Sequence, residues 1–226
     1  MRGETAVAWK PALVIFDCDG VLVDSEPIAT RIIAAALTKA GLEMSGEAAL
    51  HQYLGGKLTR IKIKVEEDLG IELGDGWVEA IYEKQFAAFR AELQPIPGIV
   101  DALDALDLAG IQYCVGSNGP LYKMDVSLAV TGLHERLEHR IFSADMVPEP
   151  KPAPDLFLHA AANFDVPPGD VAVVEDSPPG VRAGVAAGMR VFGYGKDSGV
   201  DRLKEAGAQV TFENMADLPK LLGVGG

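Results

Sequence analysis

Two aspartates, Asp17 and Asp19, directly follow the apolar run at residues 13–16, which is typical of a buried strand. Because side chains alternate along an extended chain, both carboxylates point to one side and Cys18 points to the other. Neighbouring carboxylates repel each other unless a shared proton or a cation compensates them, and Mg²⁺ is the natural cation for oxygen ligands. With Mg²⁺ bound, one acid could attack an electrophilic phosphorus while the other serves as general acid and then general base.

Two simpler interpretations of this stretch are open. A short DxDG motif has many chance matches, and the two acids could cap a turn, for which Gly20 supplies the backbone freedom. A nucleophilic Cys18 is the other interpretation, although the alternation along the strand directs its thiol away from the acids.

The longer string DCDGVLVDS, residues 17–25, resembles the first motif of the haloacid dehalogenase superfamily, in its phosphatase and phosphomutase branch. The resemblance implies that Asp17 is the nucleophile that accepts the phosphoryl group and that Asp19 is the general acid and base. It also implies a phosphoric monoester hydrolase that forms an aspartyl-phosphate intermediate. Three further motifs should then follow later in the chain.

Composition and charge restrict the possible partners and location. With 226 residues, of which 48% are hydrophobic, the chain can bury a full core, and no stretch is long enough to span a membrane. A net charge of −13 opposes binding to nucleic acid or to an anionic membrane. The two cysteines do not indicate a disulfide framework, and the N-terminus does not resemble a secretory signal, so we expect a cytoplasmic protein. We expect a small phosphorylated metabolite as partner, and a monomer or homodimer.

Apolar runs that alternate with helical patterns predict an α/β fold with a doubly wound parallel sheet. This arrangement resembles the Rossmann-like core of the superfamily named above. The predicted strands are residues 13–16, 111–117, 140–144, 171–176, 189–194 and 209–212. The predicted helices between them are residues 99–109, 123–130, 154–164, 179–187 and 199–206. Ligands in such sheets bind at the carboxyl ends of the strands, where the remaining motifs should lie.

Residues 26–94 carry helical patterns at 27–42, 58–70 and 76–93 and no convincing strand. A helical block of this size between two α/β parts predicts an inserted domain. It is similar to the small helical cap that the superfamily inserts after its first motif. We therefore expect a core domain of residues 11–25 and 95–226, a cap domain of residues 26–94 and an N-terminal tail of residues 1–10. Residues 95–98 are the expected return linker.

Small polar residues follow the second predicted strand, at Ser117, Asn118 and Gly119. A hydroxyl and free backbone N–H groups at a strand-to-helix turn form a receptor for phosphate oxygens. The same residue types are ordinary for a helix N-cap or a turn. The position resembles the superfamily's second motif, which implies that Ser117 binds the transferring phosphoryl group, with Asn118 and Gly119 as substrate-binding residues beside it.

Lys151 lies in the proline-rich run PEPKPAPD, which keeps its backbone out of a helix. A solvated loop lysine is the simpler interpretation, but KPAPD resembles the third motif, which implies that Lys151 neutralises Asp17 and the attacked phosphoryl group.

The fourth predicted strand ends in two acids, Glu175 and Asp176, which resemble the fourth motif. Asp176 could instead cap a helix. The resemblance implies a Mg²⁺ site of Asp17, the backbone carbonyl of Asp19 and Asp176, with Glu175 binding directly or through water.

Substrate choice is expected to lie in the cap. Lys57 follows two glycines in a predicted loop and Arg60 comes one helical turn later, so both could contact a second anionic group or sugar hydroxyls. Basic residues on an amphipathic helix are more often a solvated face. The runs GGKL and VGSNGPLYKM resemble bacterial sugar-phosphate phosphatases of the 6-phosphogluconate phosphatase type, which implies a sugar or sugar-acid phosphate as substrate.

Several other functions are open as alternatives. A β-phosphoglucomutase-like phosphomutase shares all four motifs, but that family has a cap-hinge histidine where this chain has Ala29. A phosphonoacetaldehyde hydrolase-like enzyme needs a cap lysine that forms a Schiff base, and a dehalogenase lacks the acid at the position of Asp19. A noncatalytic binding protein with this fold is the alternative from a different class, although all the proposed polar groups are present.

Overall fold

The structure is a computed structural model that describes residues 9–41 and 58–224. The strands are β1 (Leu13–Phe16), β2 (Gln112–Ser117), β3 (Ile141–Ser143), β4 (Val171–Glu175), β5 (Arg190–Tyr194) and β6 (Val210–Phe212). They form one six-stranded sheet in the order β3-β2-β1-β4-β5-β6, in which all neighbouring strands are parallel. The predicted α/β fold with a doubly wound parallel sheet is confirmed.

The strand β1 lies inside the sheet, between β2 and β4, and all four of its residues are buried. A continuous apolar strand is what a parallel sheet with both faces covered requires. The register pairs Phe16 with Val115 on β2 and with Val174 on β4. Because these strands are parallel and in register, Asp17 after β1 and Ser117 at the end of β2 are brought to the same edge of the sheet.

Helices cover both faces of the sheet, and each face buries its own apolar cluster. The helices are α1 (Glu26–Lys39), α2 (Leu58–Leu69), α3 (Trp77–Glu92), α4 (Ile99–Leu108), α5 (Leu121–Val130), α6 (His134–Leu137), α7 (Asp155–Asn163), α8 (Pro178–Ala186), α9 (Val200–Ala206) and α10 (Leu218–Leu221). Val14 and Phe16 belong to one cluster, and Leu13 and Ile15 belong to the other, because side chains alternate along a strand. Among the described helices, none is long and apolar enough to cross a membrane.

A third buried cluster joins α1, α2 and α3, and it includes Ile33, Leu37, Ile61, Val65 and Ile81. These three helices account for most of the described residues between positions 26 and 94, and that described part contains no strand. The division of the chain into a core domain and a cap domain stays a prediction. A separate apolar cluster is the packing that such a cap needs.

The chain enters and leaves this helical block through two segments that are hydrogen-bonded to each other. The backbone N–H of Asp24 donates to the carbonyl of Gln94 at 3.0 Å, and that of Ile96 donates to the carbonyl of Leu22 at 3.0 Å. The expected return linker therefore runs beside the end of the first motif. Two adjacent connections are suited to a hinge, because rotation about them leaves both ends of the insertion together.

Most element ends differ from the predicted ones by one or two residues. The helix predicted from residue 123 begins at Leu121, because Pro120 occupies the N-cap and proline is tolerated at a helix start. The helix predicted at 27–42 ends at Lys39, and residue 42 lies outside the described part. The helices α6 and α10 were not predicted, because four residues are too few to show a helical period.

Candidate active site

A cavity of about 410 Å³ lies between the carboxyl ends of β1, β2 and β4 and the helices α1, α2 and α3. The predicted residues that line it are Asp17, Asp19, Ser117, Asn118, Gly119, Lys151, Glu175 and Asp176. The structure therefore brings together residues of all four predicted motifs, which are spread over about 160 positions of the sequence.

Lys151 is the positive centre of the site, and only 5% of its surface is exposed. Its Nζ donates to Asp17 Oδ1 at 2.6 Å and to Glu175 Oε1 at 2.5 Å, and it lies 4.7 Å from the centre of the Phe157 ring. Burial by itself would lower the pKa of this lysine, but the two carboxylates outweigh burial and raise the pKa. Lys151 is therefore held as a cation between two acids.

Asn118 fixes the backbone that presents this lysine. Asn118 Nδ2 donates to the carbonyl of Lys151 at 3.2 Å, and the backbone N–H of Lys151 donates to Asn118 Oδ1 at 2.9 Å. The two bonds join the loop after β2 to the proline-rich loop, in which the peptide bond between Lys151 and Pro152 is cis. Asn118 lines the cavity as predicted, and its amide group positions Lys151.

Asp17, Glu175 and Asp176 form a buried acidic cluster in which the potential ligand atoms lie within 4.8 Å of one another. Burial raises the pKa of Asp17 to about 7, even though Lys151 opposes the change. Burial and the neighbouring carboxylates also raise the pKa of Asp176 well above its ordinary value. One lysine does not balance three buried acids, so this set of oxygen donors fits a hard divalent cation.

The two acids after β4 have different contacts. Besides the lysine, Glu175 accepts hydrogen bonds at Oε2 from the backbone N–H of Ser177 (3.0 Å) and from its hydroxyl (2.9 Å). A Cβ at Gly180 would lie 1.7 Å from Glu175 Oε1, so only glycine leaves room for this carboxylate. Gly20 has a φ of +77°, and a Cβ there would lie 2.2 Å from Asp176 Oδ2. The predicted turn glycine therefore also lets Asp176 approach the first motif.

Asp19 has a different electrostatic environment from Asp17. Its Oδ1 accepts a hydrogen bond from Ser25 Oγ at 2.5 Å, and its Oδ2 accepts one from Lys123 Nζ at 2.6 Å. Burial by itself would raise the pKa of Asp19, but Lys123 and Ser25 outweigh burial and lower the pKa. Two acids that are two residues apart thus have pKa values shifted in opposite directions.

No role was predicted for Lys123 or Ser25, although both contact Asp19. Lys123 lies in the first turns of α5 and is 104 positions from Asp19 along the chain. Only the packing of α5 against the first motif brings the two together. A signal was present, because Ser25 ends the string DCDGVLVDS and Lys123 belongs to the run VGSNGPLYKM.

Ser117 lies at the end of β2 with 3% of its surface exposed. Its Oγ accepts a hydrogen bond from the backbone N–H of Gly119 at 3.1 Å, and Ser143 Oγ donates to the carbonyl of Gly119 at 2.8 Å. These bonds hold a compact turn in the cavity wall. The turn interpretation and the phosphate-receptor interpretation of Ser117 therefore agree with the same geometry.

The remaining residues singled out in the sequence are Lys57, Arg60 and Cys18. Lys57 lies outside the described residues. Arg60 is exposed on α2 and is not among the described residues that line the cavity, as expected for a solvated face. Cys18 is fully buried with its Sγ 3.9 Å from Ser127 Oγ, and burial raises the pKa of the thiol well above its ordinary value. This environment argues against a nucleophilic Cys18.

Comparisons with known proteins agree with this geometry. The haloacid dehalogenase-like hydrolase family matches residues 11–188. The 6-phosphogluconate phosphatase of Escherichia coli (strain K12) is 32% identical over 209 residues, which cover 92% of this chain and 93% of that protein. The family match and this phosphatase relative confirm the predicted enzyme class, a phosphoric monoester hydrolase.

Two solved structures are similar over nearly the whole chain. A haloacid dehalogenase-like protein of unknown function from Agrobacterium tumefaciens has a TM-score of 0.82 and 36% identity, and the match covers 94% of this chain and 97% of that one. A hydrolase of the same family from Deinococcus radiodurans, solved with bound phosphate and sodium, has a TM-score of 0.78 and 28% identity, with coverages of 95% and 96%. The chain belongs to the haloacid dehalogenase-like hydrolase family.

Proposed function

We propose that the chain is a Mg²⁺-dependent phosphatase that hydrolyses a sugar or sugar-acid phosphate through an aspartyl-phosphate intermediate at Asp17. The observation that carries the proposal is the convergence of Asp17, Asp19, Ser117 and Lys151 on one cavity beside a buried acidic cluster. The related enzyme of Escherichia coli is a 6-phosphogluconate phosphatase, and the related Deinococcus radiodurans structure holds phosphate. Both support a phosphate monoester as substrate.

Asp17, Asp176 and the backbone carbonyl of Asp19 are the groups that would hold Mg²⁺, with Glu175 binding directly or through water. When bound, Mg²⁺ supplies positive charge that offsets the repulsion between these acids and an anionic substrate. The raised pKa values of Asp17 and Asp176 support this assignment, because they reflect buried negative charge that the described residues do not compensate.

Asp17 acts first, as the nucleophile. One oxygen of its carboxylate bonds to phosphorus while the bond from phosphorus to the leaving oxygen breaks, and Asp19 donates a proton to that oxygen. Lys151 offsets the charge of the phosphoryl group, and Ser117 with nearby backbone N–H groups binds the phosphoryl oxygens. Asp19 then removes a proton from water, which attacks phosphorus and releases the carboxylate of Asp17.

One position of the described site weakens the phosphomutase alternative. Ala29 lines the cavity, and its methyl group cannot exchange a proton where the mutase family has a histidine.

The cytoplasmic location and the monomeric or homodimeric state stay predictions.

Phosphate release from a panel of sugar and sugar-acid phosphates tests the proposed function. We expect hydrolysis of at least one ester, loss of activity when a chelator removes divalent cations, and recovery with Mg²⁺. Mg²⁺ should also raise the melting temperature, because an ion that binds only the folded protein stabilises it. Full activity in chelator, or no hydrolysis of any ester with Mg²⁺, would contradict the proposal.

Replacing Lys123 by methionine is expected to raise the pKa of Asp19, because the contact at 2.6 Å favours the ionised carboxylate. A base acts only when it is ionised, so the acidic limb of the pH profile of kcat should move to higher pH. p-Nitrophenyl phosphate is the suitable substrate, because its leaving group departs without a proton and the profile then reports the base.

The matched control is Lys62→Met, which removes an ion pair with Glu66 on α2, away from the residues that line the cavity. This variant should leave the limb where it is in the unmodified protein. If Lys123→Met also leaves the limb unmoved, Lys123 does not set the pKa of Asp19.

A further inference from the structure

Gln85 is a polar residue on the buried side of α3. Ile81, Gln85 and Phe89 are spaced four residues apart, so they share one face of the helix. All three are buried, and Gln85 has only 2% of its surface exposed. An apolar residue would suit this face better, because a buried amide is unfavourable unless it is hydrogen-bonded.

The amide oxygen of Gln85 has no such compensation within the described protein. Its Oε1 is buried, and no hydrogen-bond partner for it occurs among the described residues. Gln85 lines the same cavity as Asp17 and Lys151. An acceptor on a residue of the cavity wall, without a partner among the described residues, is suited to a ligand that donates a hydrogen bond.

The other charges in the cavity wall indicate which donor fits. Among the described residues that line the cavity, the cations are Lys123 and Lys151, and both are paired with core carboxylates. The lining residues of α1 and α3 include Glu26 and Glu79, which add further acceptor oxygens. This described part of the wall suits hydroxyl donors better than a second anionic group.

We propose that Gln85 determines specificity by accepting, at Oε1, a hydrogen bond from a hydroxyl group of the leaving alcohol. The substrate class is then a phosphate monoester of a polyol or a sugar. This inference rests on the proposed phosphatase function and adds the group that recognises the departing part of the substrate. Attack by Asp17 and proton transfer by Asp19 do not require Gln85.

Gln85→Leu tests the proposal, because leucine fills a similar volume without an acceptor. We expect kcat/KM for sugar and polyol phosphates to fall by about 10- to 100-fold, while kcat/KM for p-nitrophenyl phosphate, which has no aliphatic hydroxyl, changes by less than about twofold. The melting temperature should stay the same or rise, because an apolar group replaces an unpartnered polar one. Gln85→Met is the second variant, with an unbranched side chain for the case that leucine does not pack.

Matched substrate pairs show whether a hydroxyl is recognised. The first pairs are glucose 6-phosphate and ribose 5-phosphate, each with its 2-deoxy analogue. Further pairs use analogues that lack the hydroxyl group at one of the other carbons. The unmodified protein should prefer the hydroxylated member of at least one pair, and both Gln85 variants should lose that preference. Gln112→Leu, at the exposed first residue of β2, is the control and should keep it.

An equal loss on every substrate together with a lower melting temperature would show a structural role for Gln85 and overturn the proposal. Unchanged discrimination between hydroxylated and deoxy substrates in the Gln85 variants would overturn it as well. The proposed phosphatase function fails in a different way. In that case the unmodified protein releases no phosphate even from p-nitrophenyl phosphate, which would overturn both proposals together.

Discussion

Replacing Asp17 by asparagine is expected to lower phosphate release by about 10⁴-fold or more, because an amide cannot form the acyl phosphate. Asparagine has nearly the same shape as aspartate, so the cavity and its other polar groups should keep their positions. The measurement is kcat with the best ester of the panel and with p-nitrophenyl phosphate. Activity within about tenfold of the unmodified protein would show that Asp17 is not the nucleophile.

The free energy of unfolding of Asp17→Asn shows whether this variant is folded. It also shows whether the buried carboxylate of Asp17 destabilises the unmodified protein. Burial raises the pKa of Asp17 from 3.8 to about 7, so between these pH values the folded protein retains a proton that the unfolded chain has lost. Without a divalent cation, Asp17 therefore lowers the free energy of unfolding as the pH rises through this window. Asparagine does not titrate, so in chelator Asp17→Asn should be at least as stable as the unmodified protein above about pH 7. Denaturant unfolding at about pH 4 and above about pH 7 measures the free energy of unfolding of both proteins. If the variant is less stable than the unmodified protein above about pH 7, burial does not raise the pKa of Asp17.

Replacing Lys151 by methionine is expected to lower the free energy of unfolding by about 3–5 kcal/mol near neutral pH. Both of its partners, Asp17 and Glu175, are buried, so removing the cation leaves buried carboxylates without compensation. Methionine keeps much of the packing of the lysine stem, so the loss reports mainly the charge. Phosphate release should fall by about 10²- to 10³-fold where the variant is folded, because the developing charge on the phosphoryl group also loses its counter-charge.

Lys196→Met is the matched control for this change. It removes a lysine–aspartate pair with Asp24 at 2.9 Å, in which the side chains are 34% and 29% exposed. A pair that solvent reaches contributes about 1 kcal/mol or less, so urea unfolding should separate the two variants clearly. Equal destabilisation by both changes would contradict the central position of Lys151 in the buried network.

The position of the candidate active site at one edge of the sheet could be predicted from the sequence, because several of its residues come at the ends of apolar strands. Asp17, Ser117 and Asp176 lie at or directly after such strands, and the carboxyl ends of parallel strands meet at one edge however the helices pack. Lys151 is different, because no strand leads directly into it and only its motif pointed to the site. The structure supplies the missing reason, since Asn118 binds the backbone of Lys151 on both sides of its Cα.

Contacts made by helices could not be predicted in the same way. Helical periodicity indicates which residues share a face, but not which surface that face meets. Lys123 reaches Asp19, and Gln85 reaches the cavity, only through the packing of α5 and α3 against the rest of the fold. Arg60 is the opposite case. Its position in the sequence suggested a contact with substrate, but in the structure it is exposed on α2.

Chemical trapping of a phosphorylated aspartate shows directly whether Asp17 carries the phosphoryl group during hydrolysis. Asp19→Asn removes the base, so with p-nitrophenyl phosphate and Mg²⁺ the phosphoryl group should accumulate on the protein. Acid quenching followed by borohydride reduction converts an aspartyl phosphate to homoserine, which mass spectrometry then locates in the sequence. We expect homoserine at position 17 alone. Modification at another residue, or release of phosphate with no covalent intermediate, would contradict it.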